Sequence, residues 1–344
     1  MDFPITRSEL RLRHRNPRLE PRLAFARSTL PFTDWQAAAR SKLAELLRVR
    51  VPVAACSVRE LRRATVDGVS VRALVMEVDD QLWLSAYLLM PRMAWRRAVL
   101  AIHGHGEVEA CAGLPGVPED YHHRFALALA QAGHAVLCPE LRGFGVLADL
   151  AYDLPGETLE YWPDGRQKST LIADGLQKGR VLLGDTVEDL LRWEDWLTAA
   201  LGAGEIDVAG ISYGGDLALT YPVFSTRVGR IYASGSLGSF DPIFSRCRNA
   251  AAHCVPDVLR WLDRSDIAGL NAARPIALQY GERDVPGPGN ESASYNESVV
   301  ASVNELRSIY EAAGAKDAVS LIVTPEAGHE MDISALTRFL EDAG

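Results

Sequence analysis

Lysine is almost missing from this 344-residue chain: Lys42, Lys168, Lys178 and Lys316 are all there are. Arginine carries the rest of the positive charge, and the formal net charge is still −9. That balance argues against a nucleic-acid binder, which needs a basic face. Cysteine is sparse and unpatterned. Cys56, Cys111, Cys138, Cys247 and Cys254 show neither zinc-ligand spacing nor a disulfide framework, although Cys247 and Cys254 are near enough in sequence to pair. No segment reaches the ~20 consecutive apolar residues of a membrane span. The N-terminus has no continuous apolar core ahead of a small-residue cleavage site, and repeats and low-complexity tracts are absent. The expectation is a reduced, cytoplasmic protein with no nucleic-acid or membrane partner.

One local exception is the arginine-rich start, with Arg7, Arg11, Arg13, Arg15, Arg18, Arg22 and Arg27. It reads as a solvated or subunit-packing arm, with acidic partners or lipid headgroups as the alternative. The arginine excess runs along the whole chain, so it is weak as a ligand signal.

The chain is 48% hydrophobic, ordinary for a globular protein. Residues 1 to 30 read as an extended arm. Thr33-Asp34-Trp35-Gln36 has the form of a capping box, and behind it Trp35, Ala39, Leu43 and Leu46 share a helical face. VRALVMEV and LWLSAYLLM, between about 70 and 90, predict a hairpin joined through Asp79, Asp80 and Gln81. From RAVLAIHG (97–104) onward the pattern alternates strand and helix, with strands at 135–140, 205–209, 231–236, 275–281 and 320–325. Such alternation builds a mostly parallel twisted sheet with helices on both faces. This predicts an arm and helical extension over 1–69 and a catalytic domain over 70–344. Residues 144–180 and 237–273 break the alternation, and they read as lid-like insertions over the carboxyl ends of the strands.

Gly210-Ile211-Ser212-Tyr213-Gly214 stands between a predicted strand and a predicted helix. A serine hydroxyl needs a base to attack. A tight strand-to-helix turn lifts Ser212 above the sheet edge, and the glycines make room for close chain crossings. The same turn sets the Tyr213 N–H at a helix start, where it can bind a developing oxyanion.

Among the histidines only His329 falls in the loop between the last strand and the last helix, within reach of that edge. Asp284 follows the preceding strand in QYGERD. Ser212, Asp284, His329 is a nucleophile–acid–histidine order, with Asp284 fixing the His329 tautomer. Glu282 and Asp241 are competing acids. A second oxyanion donor is expected from His103-Gly104-His105-Gly106-Glu107, where the His105 N–H is favoured and Gly104 and Gly106 shape the loop. His103 reads as a histidine holding that loop; the alternative, a His103/His105 metal pair, lacks a third ligand. His122, His123 and His253 carry no assigned chemistry.

Together HGHG (103–106), PELRGFG (139–145), GISYGG (210–215), GERD (281–284) and AGHE (327–330) resemble serine esterases of the α/β-hydrolase superfamily, near the dienelactone-hydrolase and acetyl-xylan-esterase-like branch. The resemblance covers roughly residues 33 to 344. It implies cofactor-free hydrolysis of a small or medium acyl ester through an acyl-enzyme. Amide, peptide or C–C bond hydrolysis on the same triad stays open, as does a non-hydrolytic binding role for the pocket. The chain departs from its relatives at several points. Ser212 replaces the cysteine of true dienelactone hydrolases. Glu140-Leu141-Arg142-Gly143 replaces Asp-x-Arg-Gly and predicts a Glu140–Arg142 ion pair. The segment 145–180 is longer than a simple acetyl esterase needs; its Tyr152, Tyr161 and Trp162, with Glu107, are candidate pocket residues. The arm and front helix could also mediate a homodimer.

Overall fold

Strand β4 (Ala98–Ile102) is wholly buried, because it lies mid-sheet and feeds side chains alternately to two cores. Leu100 and Ile102 enter one cluster and Val99 and Ala101 the other. The computed structural model describes residues 19–79, 82–147, 166–240, 251–284 and 292–341. Tyr152, Tyr161 and Trp162, Asp241, Cys247 and the arginines before residue 19 lie outside the described residues.

The sheet has nine strands in the order β1-β2-β3-β5-β4-β6-β7-β8-β9. They are β1 (Ser57–Val66), β2 (Val69–Glu77), β3 (Trp83–Met90), β4, β5 (Ala135–Pro139), β6 (Ile206–Ile211), β7 (Val228–Ser234), β8 (Ile276–Gly281) and β9 (Val319–Thr324). The first three form an antiparallel meander, and β3 joins β5 antiparallel. All remaining pairings are parallel. The predicted hairpin is β2–β3.

One further strand was not predicted. β1 lies in the segment read as extension, so the sheet begins at Ser57, before the expected division at residue 69. SVRELRRATV has no apolar alternation because β1 is an edge strand exposed on both faces along nearly all its length. Its charges suit it to that edge, where they deter pairing with another chain; Glu60 takes Arg63 at 2.9 Å and Arg72 at 2.7 Å.

Helices cover both faces. Against one core pack α1 (Phe32–Leu47), α5 (Leu182–Leu201), α6 (Tyr213–Thr220), α7 (Arg264–Gly269) and α8 (Ser292–Ala312). Against the other pack α2 (Val108–Ala112), α3 (Phe125–Gln131) and α9 (Ile333–Glu341). The helix α4 (Arg166–Gln177) precedes α5.

Three of the four residues predicted for the α1 stripe, Trp35, Ala39 and Leu43, are buried; the fourth buried place belongs to Leu47, while the expected Leu46 is only half-buried. They are buried against their own chain, and Trp35 Nε1 donates to Leu23 O at 2.7 Å while Gln36 Nε2 donates to Leu270 O at 3.0 Å. This apolar face is therefore spent within the protomer. The capping box at Thr33 does not form. α1 starts two residues earlier than a Thr33 cap would have it, and the Pro31 carbonyl accepts the Asp34 and Trp35 N–H groups.

Candidate active site

Ser212 occupies the single-residue corner between β6 and α6, with φ 58° and ψ −121°. Non-glycine residues rarely adopt such a backbone, and it persists only where the surroundings over-determine it. Here they do. The Ser212 N–H donates to Ser234 O at 2.9 Å at the end of β7, and Ser236 Oγ donates to Ser212 O at 2.5 Å. The glycine before α6's first turn closes is required by a close approach: a Cβ on Gly214 would lie 2.1 Å from Ile102 O. Tyr213 opens α6 with its side chain buried.

His329 and Asp284 come together as the sequence suggests. His329 Nδ1 and Asp284 Oδ1 are 2.9 Å apart, with Asp284 buried and the imidazole partly open. The pair stands beside the serine corner: a Cβ on Gly235, next to Ser234, would lie 2.5 Å from His329 Cε1. Glu282 is exposed, and its carboxylate accepts the Glu326 N–H at 2.9 Å instead. Asp241 lies outside the described residues.

The HGHG loop is held from behind by imidazoles. His103 Nδ1 lies 2.8 Å from Gly104 O, and its Nε2 accepts the Leu141 N–H at 3.1 Å while facing Glu140 Oε1 at 3.0 Å. With Nε2 accepting, the ring hydrogen lies on Nδ1, which donates to the Gly104 carbonyl. The Gly104 N–H donates to His122 Nε2 at 2.8 Å. On its other side His122 Nδ1 lies 2.7 Å from Asp120 Oδ1. Burial, reinforced by His103, pushes the His122 imidazole down to about 4, so it is neutral and able to accept. In a trans peptide the N–H points opposite the preceding carbonyl. The His105 N–H therefore points away from His103, out of the loop.

His122 carried no assignment from sequence. The signal was Asp120-x-His122, a carboxylate placed to fix an imidazole, but that spacing is common in ordinary turns. His253 likewise has no role assigned from sequence. It lies buried on the Tyr213 ring, with centroids 4.8 Å apart, stacks on His105 and bonds to Asp216. Glu107 is exposed at the start of α2.

The expected Glu140–Arg142 ion pair does not form. Arg142 donates instead to Asp189 on α5, from Nε at 2.5 Å and Nη2 at 2.9 Å. The chain leaves β5 at Pro139 and turns at Arg142, so the same-face relation of alternate strand residues is lost. Burial opposes the Arg142 charge, but Asp189, Asp185 and Glu188 outweigh it and raise the pKa.

No metal centre accompanies these groups: among the described residues no set of three histidine, cysteine or acidic side chains could hold an ion. Nor is any helix there long and apolar enough to cross a membrane. The sheet order, the strained serine corner and the helices on both faces define an α/β-hydrolase fold. Comparison with known proteins agrees. The family described as the alpha/beta hydrolase fold matches residues 110–264.

No curated protein sequence matches the chain. Among solved structures it is similar to a provisionally assigned acetyl xylan esterase from Bacteroides fragilis NCTC 9343 at 18% identity and a TM-score of 0.70, covering 92% of this chain and 80% of that one. The methylesterase BT1017 is similar at 16% identity and a TM-score of 0.67, over 92% of this chain and 66% of its own. A glucuronoyl esterase from Solibacter usitatus is similar at 13% identity and a TM-score of 0.63, over 93% and 96%. At these identities the likeness is one of fold.

Proposed function

We propose that this chain is a serine hydrolase that cleaves a carboxylic ester of small or medium acyl size through an acyl-enzyme. The observation that carries the reading is the Asp284–His329 hydrogen bond of 2.9 Å beside a serine held at φ 58° and ψ −121°. Asp284 keeps the Nδ1 hydrogen on its own side, which leaves Nε2 as the base. As the Ser212 oxygen bonds to the ester carbon, its proton passes to Nε2. The carbonyl oxygen takes the negative charge, and the backbone N–H groups of Tyr213 and His105 are the donors offered to it. The C–O bond then breaks, and the leaving alkoxide takes the proton back from His329. Water repeats the sequence on the acyl-serine and returns the free enzyme.

The reading of an ester rather than an amide rests on the similar structures, described as acetyl xylan, methyl and glucuronoyl esterases. No step calls for a cofactor. A cytoplasmic setting belongs to the same proposal.

The test is labelling with a fluorophosphonate probe, with the adduct mapped by mass spectrometry in wild type, Ser212→Ala and His329→Ala. We expect a stoichiometric adduct on Ser212 that slows sharply without His329. Unlabelled, well-folded wild-type protein would overturn the proposal. Matched ester and amide substrates then decide the bond, with turnover expected on the ester.

A further inference from the structure

Tyr121 has no role in the reaction just described, yet it lies against Ser212, the His105 loop and His329. We propose that Tyr121 is a positioning residue which keeps Ser212, the His105 loop and His329 in register; this rests on the serine-hydrolase reading above.

Its hydroxyl donates to His105 O at 2.7 Å. The same oxygen fills the space beside Gly104 that a side chain would need. A Cβ on Gly104 would lie 2.2 Å from the Tyr121 hydroxyl and 2.9 Å from the Ser212 Cβ. The Ser212 side chain is within hydrogen-bonding reach of that hydroxyl. The phenol ring lies along the base, with the Tyr121 and His329 centroids 5.5 Å apart and the planes 25° from parallel. The backbone completes the link, because the Met331 N–H, two residues beyond His329, donates to Tyr121 O at 3.0 Å.

The flanking residues grip the same two loops. His122 accepts from Gly104, and His123 Nε2 meets Glu330 Oε2 at 2.6 Å. His123 and Arg124 hold positive φ of 49° and 53° in consecutive positions, which bends the chain sharply enough for neighbouring side chains to reach both loops. Burial pushes the phenol well above its ordinary value, so it stays protonated.

A phenol has one hydrogen, and here it is committed to His105 O. Towards Ser212 it offers a lone pair, which holds Oγ in place in the free enzyme; the serine hydrogen turns to His329 Nε2 when the ester binds and passes to it as Oγ bonds to the ester carbon. Meanwhile the stacked ring restrains rotation of the imidazole. A tyrosine that only filled space would do none of this, and the two cases separate experimentally.

Tyr121→Phe keeps the ring and the Met331 bond and removes only the hydroxyl. Per active site, counted by fluorophosphonate titration, kcat should fall ~10- to 100-fold with KM within about twofold, as for a reacting group displaced by a fraction of an ångström. The rate of probe labelling should fall in parallel. A fluorinated tyrosine incorporated at the same position retains the hydroxyl and should restore both rates to within a few-fold. Wild-type rates in Tyr121→Phe would overturn the proposal, as would a fluorinated variant as slow as phenylalanine. Should Tyr121→Phe fold poorly, the fluorinated protein still decides: its more acidic hydroxyl should shift kcat measurably but within that few-fold range, and a kcat either identical to wild type or lowered tenfold or more counts against the proposal. Wild-type protein that never labels removes the hydrolase reading and this one together, whereas labelling of wild type with equal labelling of Tyr121→Phe removes only this one.

Discussion

His122 Nε2 accepts the backbone N–H of Gly104 at 2.8 Å, and through that bond a buried side chain holds the peptide immediately before the one that carries the His105 N–H. The carbonyl of Gly104 is held as firmly by His103. With both groups of one residue tied, the following peptide plane has little freedom, so under the proposed mechanism its N–H needs no reorganisation when charge develops. His122→Phe removes the acceptor while filling similar space. Losing an oxyanion donor outright costs ~10²–10³ in kcat; loosening one through its peptide should cost less, about tenfold, with KM little changed.

The same histidine predicts an acid-dependent stability difference. Its folded pKa of about 4 lies below the ordinary 6.5, so between those values the unfolded chain binds more protons than the folded one. Stability therefore falls as pH falls through that window and is fully present above it. Urea titrations of wild type and His122→Phe across the window should show the wild-type curve falling more steeply. Parallel curves would mean that His122 titrates in the fold as it does in the unfolded chain.

Asp284→Asn tests the acid. An amide nitrogen facing Nδ1 donates rather than accepts, which forces the hydrogen onto Nε2 and deprives Ser212 of its base. By comparison with the same exchange in a serine-protease triad, kcat should fall by roughly 10⁴ with the fold intact. Glu282→Gln should leave kcat unchanged, since that carboxylate is exposed and bonded to the Glu326 N–H. A reversed pattern, with Glu282 essential, would reassign the acid.

Ser212 and Asp284 were legible as candidates because each follows an interior strand, β6 or β8, apolar enough to be visible, whereas His329 follows the partly exposed edge strand β9 and was singled out by its place before the last helix. β4, β5, β6 and β8 are buried at every position. β1 was illegible for the opposite reason: an exposed edge can be built from arginines and glutamates. The role of His122 depends on a contact between positions 104 and 122 that periodicity cannot show, and Arg142 found Asp189 across 47 residues of sequence. Pairing across loops is set by tertiary packing, and local pattern is silent on it.

Arg142→Met should therefore destabilise the protein without abolishing turnover. Breaking a buried ion pair from one side costs about 3–5 kcal/mol. Two features reduce that here: the Arg142 side chain is 19% exposed, and Arg192 also reaches Asp189, at 3.1 Å. A loss of about 2–3 kcal/mol by urea denaturation is expected. Full stability in Arg142→Met would show that Arg192 alone satisfies the carboxylate.

The corner at Ser212 gives a stability prediction with an unusual sign. Its backbone, at φ 58° and ψ −121°, is one that a side chain resists and glycine does not. The strain is worth about 1–3 kcal/mol, whereas glycine's greater freedom in the unfolded chain takes back about 0.5–1 kcal/mol. Relief should win. Ser212→Gly is expected to be more stable than Ser212→Ala by about 1 kcal/mol in urea unfolding, while both lose turnover. Alanine is the right reference because it removes the same hydroxyl and keeps the strain. If alanine and glycine are equally stable, the corner is not strained, and the rigid presentation of the nucleophile must then come from the hydrogen bonds to Ser234 and Ser236 alone.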